Sequence, residues 1–252
     1  MTASPSLHMI RARLDRRRLF ELARRRRLLP AVGETDLGYV VHSVLGELFG
    51  GLAPKPFALP DGETPDPSGL TVLGYSRHAA AELREHAAGF ADPFVYKSLD
   101  WAWFDAKPMP AAFPAGRRLG FTVRACPVER SRRLRGDRAE SPEVDALIVE
   151  GARQGVPQGL DRGAVYTAWL ERELDRRGGV RLLTAALAGF HLVRPLRRDQ
   201  ASRAPVRLPH LPDARFTGTL EVTDPAAFTA LLSRGVGRHR AFGFGMLLLK
   251  PA

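Results

Sequence analysis

The same order of predicted elements occurs twice along this chain, and that repetition constrains the fold more than any other feature of the sequence. In each half, a strand is followed by a helix, two strands, a second helix and a last strand. Prolines at 108, 110 and 114 separate the halves and place a boundary near residue 112. This order is the split pattern of a ferredoxin-like domain. We therefore predict an α+β protein with two tandem ferredoxin-like (βαββαβ) domains and antiparallel sheets, over residues 1–112 and 113–252.

Local hydrophobic patterns supply the elements of the first half. Residues 36–49 form an amphipathic helix that Thr35 or Asp36 can cap. An arginine-rich helix precedes it and ends at Pro30. The other predicted elements of this half are strands at 7–13, 57–59, 70–75 and 95–104, and helices at 16–29 and 77–88.

The second half has its clearest pattern near the C-terminus. Residues 215–222 alternate as a strand with one buried face does. A helix follows, capped by Thr223 or Asp224, with Pro225 at its first position. The other predicted elements are strands at 118–125 and 246–250, one long or two short strands at 180–196, a helix at 164–177 and a mobile basic excursion at 130–141.

The balance of charge favours an anionic partner. The 252 residues carry a formal net charge of +11, and arginine supplies nearly all of the positive side chains. A GC-rich genome explains the frequency of arginine, but it does not explain the excess over aspartate and glutamate. Nucleic acid is therefore the leading class of partner, with an anionic membrane surface second.

The absence of targeting signals predicts a cytoplasmic protein. No apolar run approaches the roughly 18 residues of a membrane span. Arginines begin at Arg11, where a signal peptide needs an apolar core. Cys126 is the only cysteine, which excludes an intramolecular disulfide and a cysteine-rich zinc site.

A glycine-rich loop near the C-terminus carries three basic side chains. Glycine reaches positive φ and lets a ligand approach the backbone closely, while arginine can hold phosphate through paired hydrogen bonds. A dinucleotide site is disfavoured, because only fifteen residues follow Gly237, too few for the rest of a βαβ unit. A flexible turn is the other interpretation. The residues predicted to bind phosphate here are Gly235, Gly237, Arg238, His239, Arg240, Gly243 and Gly245.

Motifs of metal- and nucleotide-dependent enzymes, such as HExxH, paired carboxylates and a P-loop, are absent from the sequence. We therefore predict no metal and no cofactor. RNA cleavage is open to such a chain because the 2′-hydroxyl of RNA is itself a nucleophile. Histidine can take its proton, and arginine or lysine can offset the charge on the phosphate. Tyr39 and His42, three apart on one helix flank, fit these needs if the glycine loop meets them. A structural histidine is the alternative.

Residues 36–49, with the sequence DLGYVVHSVLGELF, resemble the first-helix segment of the CasE family, the CRISPR repeat-RNA endoribonucleases of the RAMP superfamily. The Tyr-x-x-His of that family falls on Tyr39 and His42. Further similarity occurs at 119–127, 168–174 and 216–232, and residues 235–245 fit the superfamily pattern G-φ-G, five residues, G-x-G.

The resemblance implies metal-independent cleavage of precursor CRISPR RNA beside a repeat stem-loop, with a 2′,3′-cyclic phosphate as product. It implies that His42 is the general base or acid and that Tyr39 is its partner in positioning. It also implies that the protein stays with the mature CRISPR RNA and other subunits of an effector complex. An arginine-rich segment at 15–35 departs from the family pattern. A type I-E-like system and a type IV system therefore both remain open.

Two arginine clusters are predicted to follow the phosphates of an RNA stem, since RNA helices are recognised largely through backbone and shape. Solvated arginines are the alternative for each cluster. A non-catalytic RNA-binding subunit on the same fold and an unrelated basic ribosome-associated protein remain open as functions. The clusters are Arg24, Arg25, Arg26 and Arg27, and Arg130, Arg132, Arg133 and Arg135.

Overall fold

Two four-stranded antiparallel sheets organise the chain in the computed structural model, which describes residues 6–29, 35–60, 69–130, 143–156, 158–194, 196–198, 205–207 and 209–252. The first half contains β1 (His8–Asp15), α1 (Arg16–Arg25), α2 (Leu37–Phe49), a 3₁₀ turn (Gly50–Leu52), β2 (Phe57–Ala58), β3 (Gly69–Ser76), α3 (Ala80–Phe90), α4 (Pro93–Tyr96) and β4 (Asp105–Pro108). Its sheet has the order β2-β3-β1-β4.

The second half contains β5 (Arg118–Ala125), β6 (Val128–Arg130), β7 (Glu143–Asp145), α5 (Ala146–Gln154), α6 (Arg162–Arg177), β8 (Val180–Val193), β9 (Leu196–Arg198), β10 (Pro205–Arg207), β11 (Leu211–Val222), α7 (Pro225–Arg234), a 3₁₀ turn (Arg240–Phe242) and β12 (Leu248–Pro251). Its main sheet has the order β12-β5-β11-β8, and β6-β7 and β9-β10 are two further ribbons. In chain order, the first and third strands of each main sheet are the central ones, as in a ferredoxin-like fold. They are β1 and β3 in the first sheet and β5 and β11 in the second. The predicted fold class is confirmed.

Each sheet buries one face under its helices. In the first half, α1 and α2 pack Leu19 and Val41 into a core with Leu14 of β1. In the second, Trp169 of α6 packs beside Phe216 of β11. The predicted boundary near residue 112 stays a prediction, although the main strands lie on either side of it.

The two halves also contact each other. The hydroxyl of Tyr75 in β3 donates a hydrogen bond to the carbonyl oxygen of Leu247, at 2.9 Å. Tyr75 is buried within the core cluster of the second half. The glycine loop that precedes β12 is therefore positioned by both sheets.

The strand predicted at 95–104 is wrong. Pro93 begins the one-turn helix α4, and the carboxylate of Asp92 accepts a hydrogen bond from the backbone N–H of Phe94 at 2.8 Å. The aromatic residues that follow pack on one another, with Trp101 stacked on Tyr96 at 4.5 Å between ring centroids. The last strand of this sheet is β4 at 105–108. The helix α5 was not predicted, and most of the basic excursion at 130–141 lies outside the described residues.

Within the described ranges, no helix combines the length and the apolar character needed to cross a membrane.

Candidate functional site

The helix α2 presents His42 to solvent while its opposite side packs into the core. Asp36 caps the helix, since its carboxylate accepts a hydrogen bond from the backbone N–H of Tyr39 at 3.0 Å. Tyr39 is only 5% exposed, whereas His42 is exposed. Their ring centroids lie 6.2 Å apart. The spacing of three residues therefore places the two rings side by side, as predicted from helix geometry.

Phe242 of the glycine loop joins that loop to α2. Its ring stacks on Tyr39 at 5.6 Å and meets His42 edge-on at 5.0 Å. The helix can come this close because residue 38 is glycine: a Cβ at Gly38 would lie 2.2 Å from the carbonyl oxygen of Phe242. The structure therefore brings the two predicted segments together. Sequence reasoning missed Phe242, whose only signal was an aromatic residue inside a glycine-rich loop.

The four glycines of the loop all have positive φ, between 68° and 83°. The loop closes on itself, because the N–H of Val236 donates to the carbonyl oxygen of Gly245 at 2.8 Å. It is also tied to the second sheet, since the N–H of Gly245 donates to the carbonyl oxygen of Arg124 at 2.6 Å. A Cβ at Gly245 would lie 2.2 Å from the carbonyl oxygen of Val236. Glycine is therefore required for this closure.

Two of the three basic side chains in the loop already have a carboxylate partner. Glu143 of β7 lies 3.2 Å from the guanidinium of Arg238 and 2.8 Å from Nε2 of His239. The hydrogen bond with His239 is the main reason that the pKa of Glu143 is lowered. Arg240 instead donates to the carbonyl oxygen of Arg234 at 2.5 Å. No carboxylate within the part of the chain that is described pairs with Arg240, so its charge is available to a ligand.

A groove of about 770 Å³ runs between the glycine loop and the C-terminal end of α6. Its three carboxylates are matched by cations, among them Arg172 with Glu129 at 2.7 Å. The groove therefore carries an excess of positive charge, which attracts a polyanion. The charged residues that line it are Lys55, Arg130, Arg172, Arg176, Arg177, Arg238 and Arg240, with Glu129, Glu143 and Glu173.

Arg177 is the residue of this groove whose surroundings best suit contact with an anion. Its Nε is buried and has no hydrogen-bond partner among the described residues. The pKa of Arg177 is lowered, first by burial and then by the like charges of Arg240 and Arg176. Crowded, desolvated guanidinium groups of this kind are stabilised when a phosphate arrives.

Lys55 links the groove to His42. It lines the groove and also a smaller pocket of about 180 Å³ whose walls include His42, Gly50 and Ala241. Although part of the His42 side chain reaches solvent, burial of the remainder lowers its pKa, and the positive charge of Lys55 lowers it further. Sequence reasoning missed Lys55 as a site residue. Its only signal was being one of four lysines in the chain.

The other predicted RNA-binding arginines lie in different places. Arg24 and Arg25 are the last residues of α1, and Arg26 and Arg27 lie in the turn that follows. These four arginines do not line the groove. Arg25 pairs with Glu21 at 2.6 Å, and Arg26 pairs with Glu47 at 2.7 Å, which raises the pKa of Arg26. Of the second cluster, Arg130 is exposed at the groove, while Arg132, Arg133 and Arg135 lie outside the described residues.

Comparison with known proteins gives a family for the chain. The sequence matches the family described as CRISPR associated protein over residues 7–251. It is 32% identical over 153 residues to the CRISPR-associated endoribonuclease Cse3 of Thermus thermophilus, a match that covers 59% of this chain and 63% of that protein. The resemblance noted from the sequence is thereby confirmed.

Two solved structures share the fold. A structure of the CRISPR endoribonuclease Cse3 bound to 19 nt RNA has a TM-score of 0.63 at 23% identity, covering 98% of this chain and 100% of that one. A chain of a CRISPR RNA-guided surveillance complex has a TM-score of 0.52 at 16% identity, covering 97% and 100%. At these identities the likeness establishes the architecture of two tandem ferredoxin-like domains.

Proposed function

The chain belongs to the family of CRISPR associated proteins, and from this premise we propose that it is an endoribonuclease that cleaves precursor CRISPR RNA at the repeat stem-loop. One observation carries the proposal: His42 lies exposed in a pocket that shares Lys55 and Ala241 with the basic groove, and its ring contacts Phe242 of the glycine loop. The groove matches a polyanionic stem in charge, and the histidine can transfer a proton near neutral pH.

The proposed reaction needs only groups of the chain and of the RNA. Neutral His42 takes the proton of the 2′-hydroxyl as that oxygen attacks the adjacent phosphorus, and the bond from phosphorus to the 5′-oxygen breaks. The 5′-oxygen takes a proton from water as it leaves, His42 returns its proton to solvent afterwards, and the other product ends in a 2′,3′-cyclic phosphate. The lowered pKa of His42 favours the neutral imidazole at physiological pH, so a ring nitrogen can accept the proton. Lys55 offsets charge on the phosphate, and Tyr39 positions the histidine through Phe242. The proposal includes independence from metal ions.

The partners of this function follow from the same premise. We propose that CRISPR repeat RNA lies in the groove against Arg177, whose Nε makes no hydrogen bond to a described residue, and against Arg240, which pairs with no carboxylate in the described part of the chain. We also propose that the protein keeps its product and joins other subunits of a CRISPR effector complex in the cytoplasm. The fold shared with a chain of a CRISPR RNA-guided surveillance complex supports this assembly.

Replacing His42 with alanine tests the proposal directly. Single-turnover cleavage of labelled repeat RNA should fall by about 10²- to 10⁴-fold, the range for loss of a general base, while the Kd for the RNA stays the same. His210→Ala is the matched control, because His210 is exposed and lies outside the groove and the His42 pocket. Wild-type cleavage should persist in EDTA. An unchanged rate in His42→Ala would refute the mechanism.

A non-catalytic RNA-binding subunit is the second candidate, because the groove, the glycine loop and Arg177 would serve binding without His42. It predicts that the wild-type protein binds repeat RNA with an affinity that falls steeply with salt but leaves the RNA uncut. A ribosome-associated protein would instead bind ribosomal RNA with no preference for hairpin repeats, which sequencing of bound RNA would reveal.

A further inference from the structure

An aromatic pair stands exposed at the C-terminal end of α3. Phe90 is 56% exposed, and its ring stacks on His86 with centroids 5.0 Å apart and planes inclined by 22°. Nε2 of His86 is buried and makes no hydrogen bond to any residue that the structure describes. A single exposed phenylalanine is ordinary on a protein surface. The stacked pair of Phe90 and His86, in contrast, presents an exposed aromatic face on which another ring can stack.

The aromatic pair borders the His42 pocket. Both rings lie against Gly50, where a Cβ would be 3.3 Å from Cζ of Phe90 and 3.6 Å from Nε2 of His86. Gly50 is also a wall of the pocket that contains His42. The neighbouring Leu52 lines a second pocket of about 490 Å³ together with His86 and Phe90. The 3₁₀ turn Gly50–Leu52 therefore borders both the His42 pocket and the aromatic pair.

The three features form a continuous path. Lys55 belongs to both the basic groove and the His42 pocket, and Gly50 belongs to the His42 pocket while touching the aromatic pair. An RNA strand that leaves the groove and passes His42 therefore reaches Phe90 next. The groove is large and positively charged, which suits a paired stem. The surface beyond His42 instead presents the exposed ring of Phe90.

The charge beside the aromatic pair favours a base over a phosphate. Glu82 and Glu85 line the pocket under Phe90, so a phosphate would be repelled there. Carboxylates can accept hydrogen bonds from the amino groups of bases. Aromatic side chains stack bases of any sequence in single-stranded RNA, because every base has a π face.

We propose that Phe90 and His86 stack an unpaired nucleobase of the RNA, on the side of the scissile phosphate away from the paired stem. This proposal rests on the proposed function and narrows its substrate: the RNA must extend beyond the cut as a single strand. Phe90 is then a specificity-determining residue, because it holds the departing strand in line while His42 acts on the phosphate between stem and strand.

A fluorescent base tests this placement. Full-length protein is mixed with repeat RNA that carries a 2′-deoxy sugar at the scissile position, so that it is not cut, and 2-aminopurine as the first base beyond the cut. Stacking quenches 2-aminopurine, so wild-type protein should quench it several-fold. Phe90→Ala should abolish the quenching and weaken binding of this RNA about tenfold, the scale of one base-stacking contact. Phe90→Tyr should restore both.

Trp103→Ala is the matched control, because Trp103 is a second aromatic residue at 50% exposure and lies outside all three features. It should quench the probe and bind the RNA as the wild type does. Phe90→Ala should also bind RNA that ends at the cut as tightly as the wild type, because that RNA has no base for Phe90 to stack.

Equal quenching by wild type and Phe90→Ala would overturn the proposal, as would quenching only of a probe on the stem side. An effect of Phe90→Ala on capture of a protein partner but on no RNA readout would also overturn it. If wild type quenches the probe yet leaves the matching all-ribose RNA uncut, the cleavage proposal fails and the base-stacking proposal stands.

Discussion

Gly38→Ala tests whether the contact between α2 and the glycine loop positions His42. The added methyl group would lie 2.2 Å from the carbonyl oxygen of Phe242 and 3.0 Å from its carbonyl carbon. Ordinary van der Waals contact begins at 3.4 Å, so the helix and the loop must separate by about 1.2 Å. The ring of Phe242 contacts both Tyr39 and His42, so this separation moves the histidine relative to the RNA groove.

Stability and activity should respond differently to this change. Alanine normally stabilises a helix by about 0.5–1 kcal/mol relative to glycine, whereas overpacking costs about 1–3 kcal/mol. The net loss of unfolding free energy should therefore be only about 1 kcal/mol. A misplacement of about 1 Å in an active site can cost about 100-fold in rate, or about 2.7 kcal/mol in the barrier. Cleavage should thus fall far more than stability.

Two measurements on the same preparation check this expectation: denaturant unfolding and single-turnover cleavage of repeat RNA. Gly46→Ala is the control for unfolding, because a Cβ at Gly46 in the same helix would meet nothing within 4 Å. It should raise the free energy of unfolding by about 0.5–1 kcal/mol. If Gly38→Ala is stabilised as much as Gly46→Ala and cleaves at the wild-type rate, the reasoning about this contact is wrong.

Two further predictions concern charge. Lys55→Ala removes one of the two causes that lower the pKa of His42, so the acid limb of kcat/KM against pH should move to higher pH while staying below the ordinary value of 6.5. If Lys55 also offsets charge in the transition state, kcat should fall about 100-fold. An acid limb that does not move would contradict the assignment of this pKa shift to Lys55. Asp213→Ala leaves the guanidinium of Arg124 without the carboxylate that now accepts from its Nε at 2.9 Å. Asp213 is 3% exposed and Arg124 26%, so the free energy of unfolding in urea should fall by about 2–3 kcal/mol, less than for a fully buried pair. Glu21→Gln, which breaks the exposed pair with Arg25, should change it by at most about 0.5 kcal/mol, and equal losses in the two variants would contradict the argument.

Local patterns in the sequence determined the architecture and part of the site. Strand alternation and helix periodicity are set by neighbouring residues, so the repeated order of elements and the cap at Asp36 could be predicted. The spacing of Tyr39 and His42 on α2 follows from helix geometry alone. The strand predicted at 95–104 failed because aromatic side chains suit a strand, whereas Pro93 and the cap at Asp92 start a helix there.

Only the tertiary structure decided which of these groups meet. Phe242 lies 200 residues after His42, and their contact depends on how the two sheets pack around Tyr75. Glu143 lies 96 residues before His239, and its carboxylate hydrogen-bonds to the His239 ring, which the sequence alone predicted to bind RNA. The composition of a segment carries no information about a partner so distant along the chain, because packing between sheets is what brings the two together.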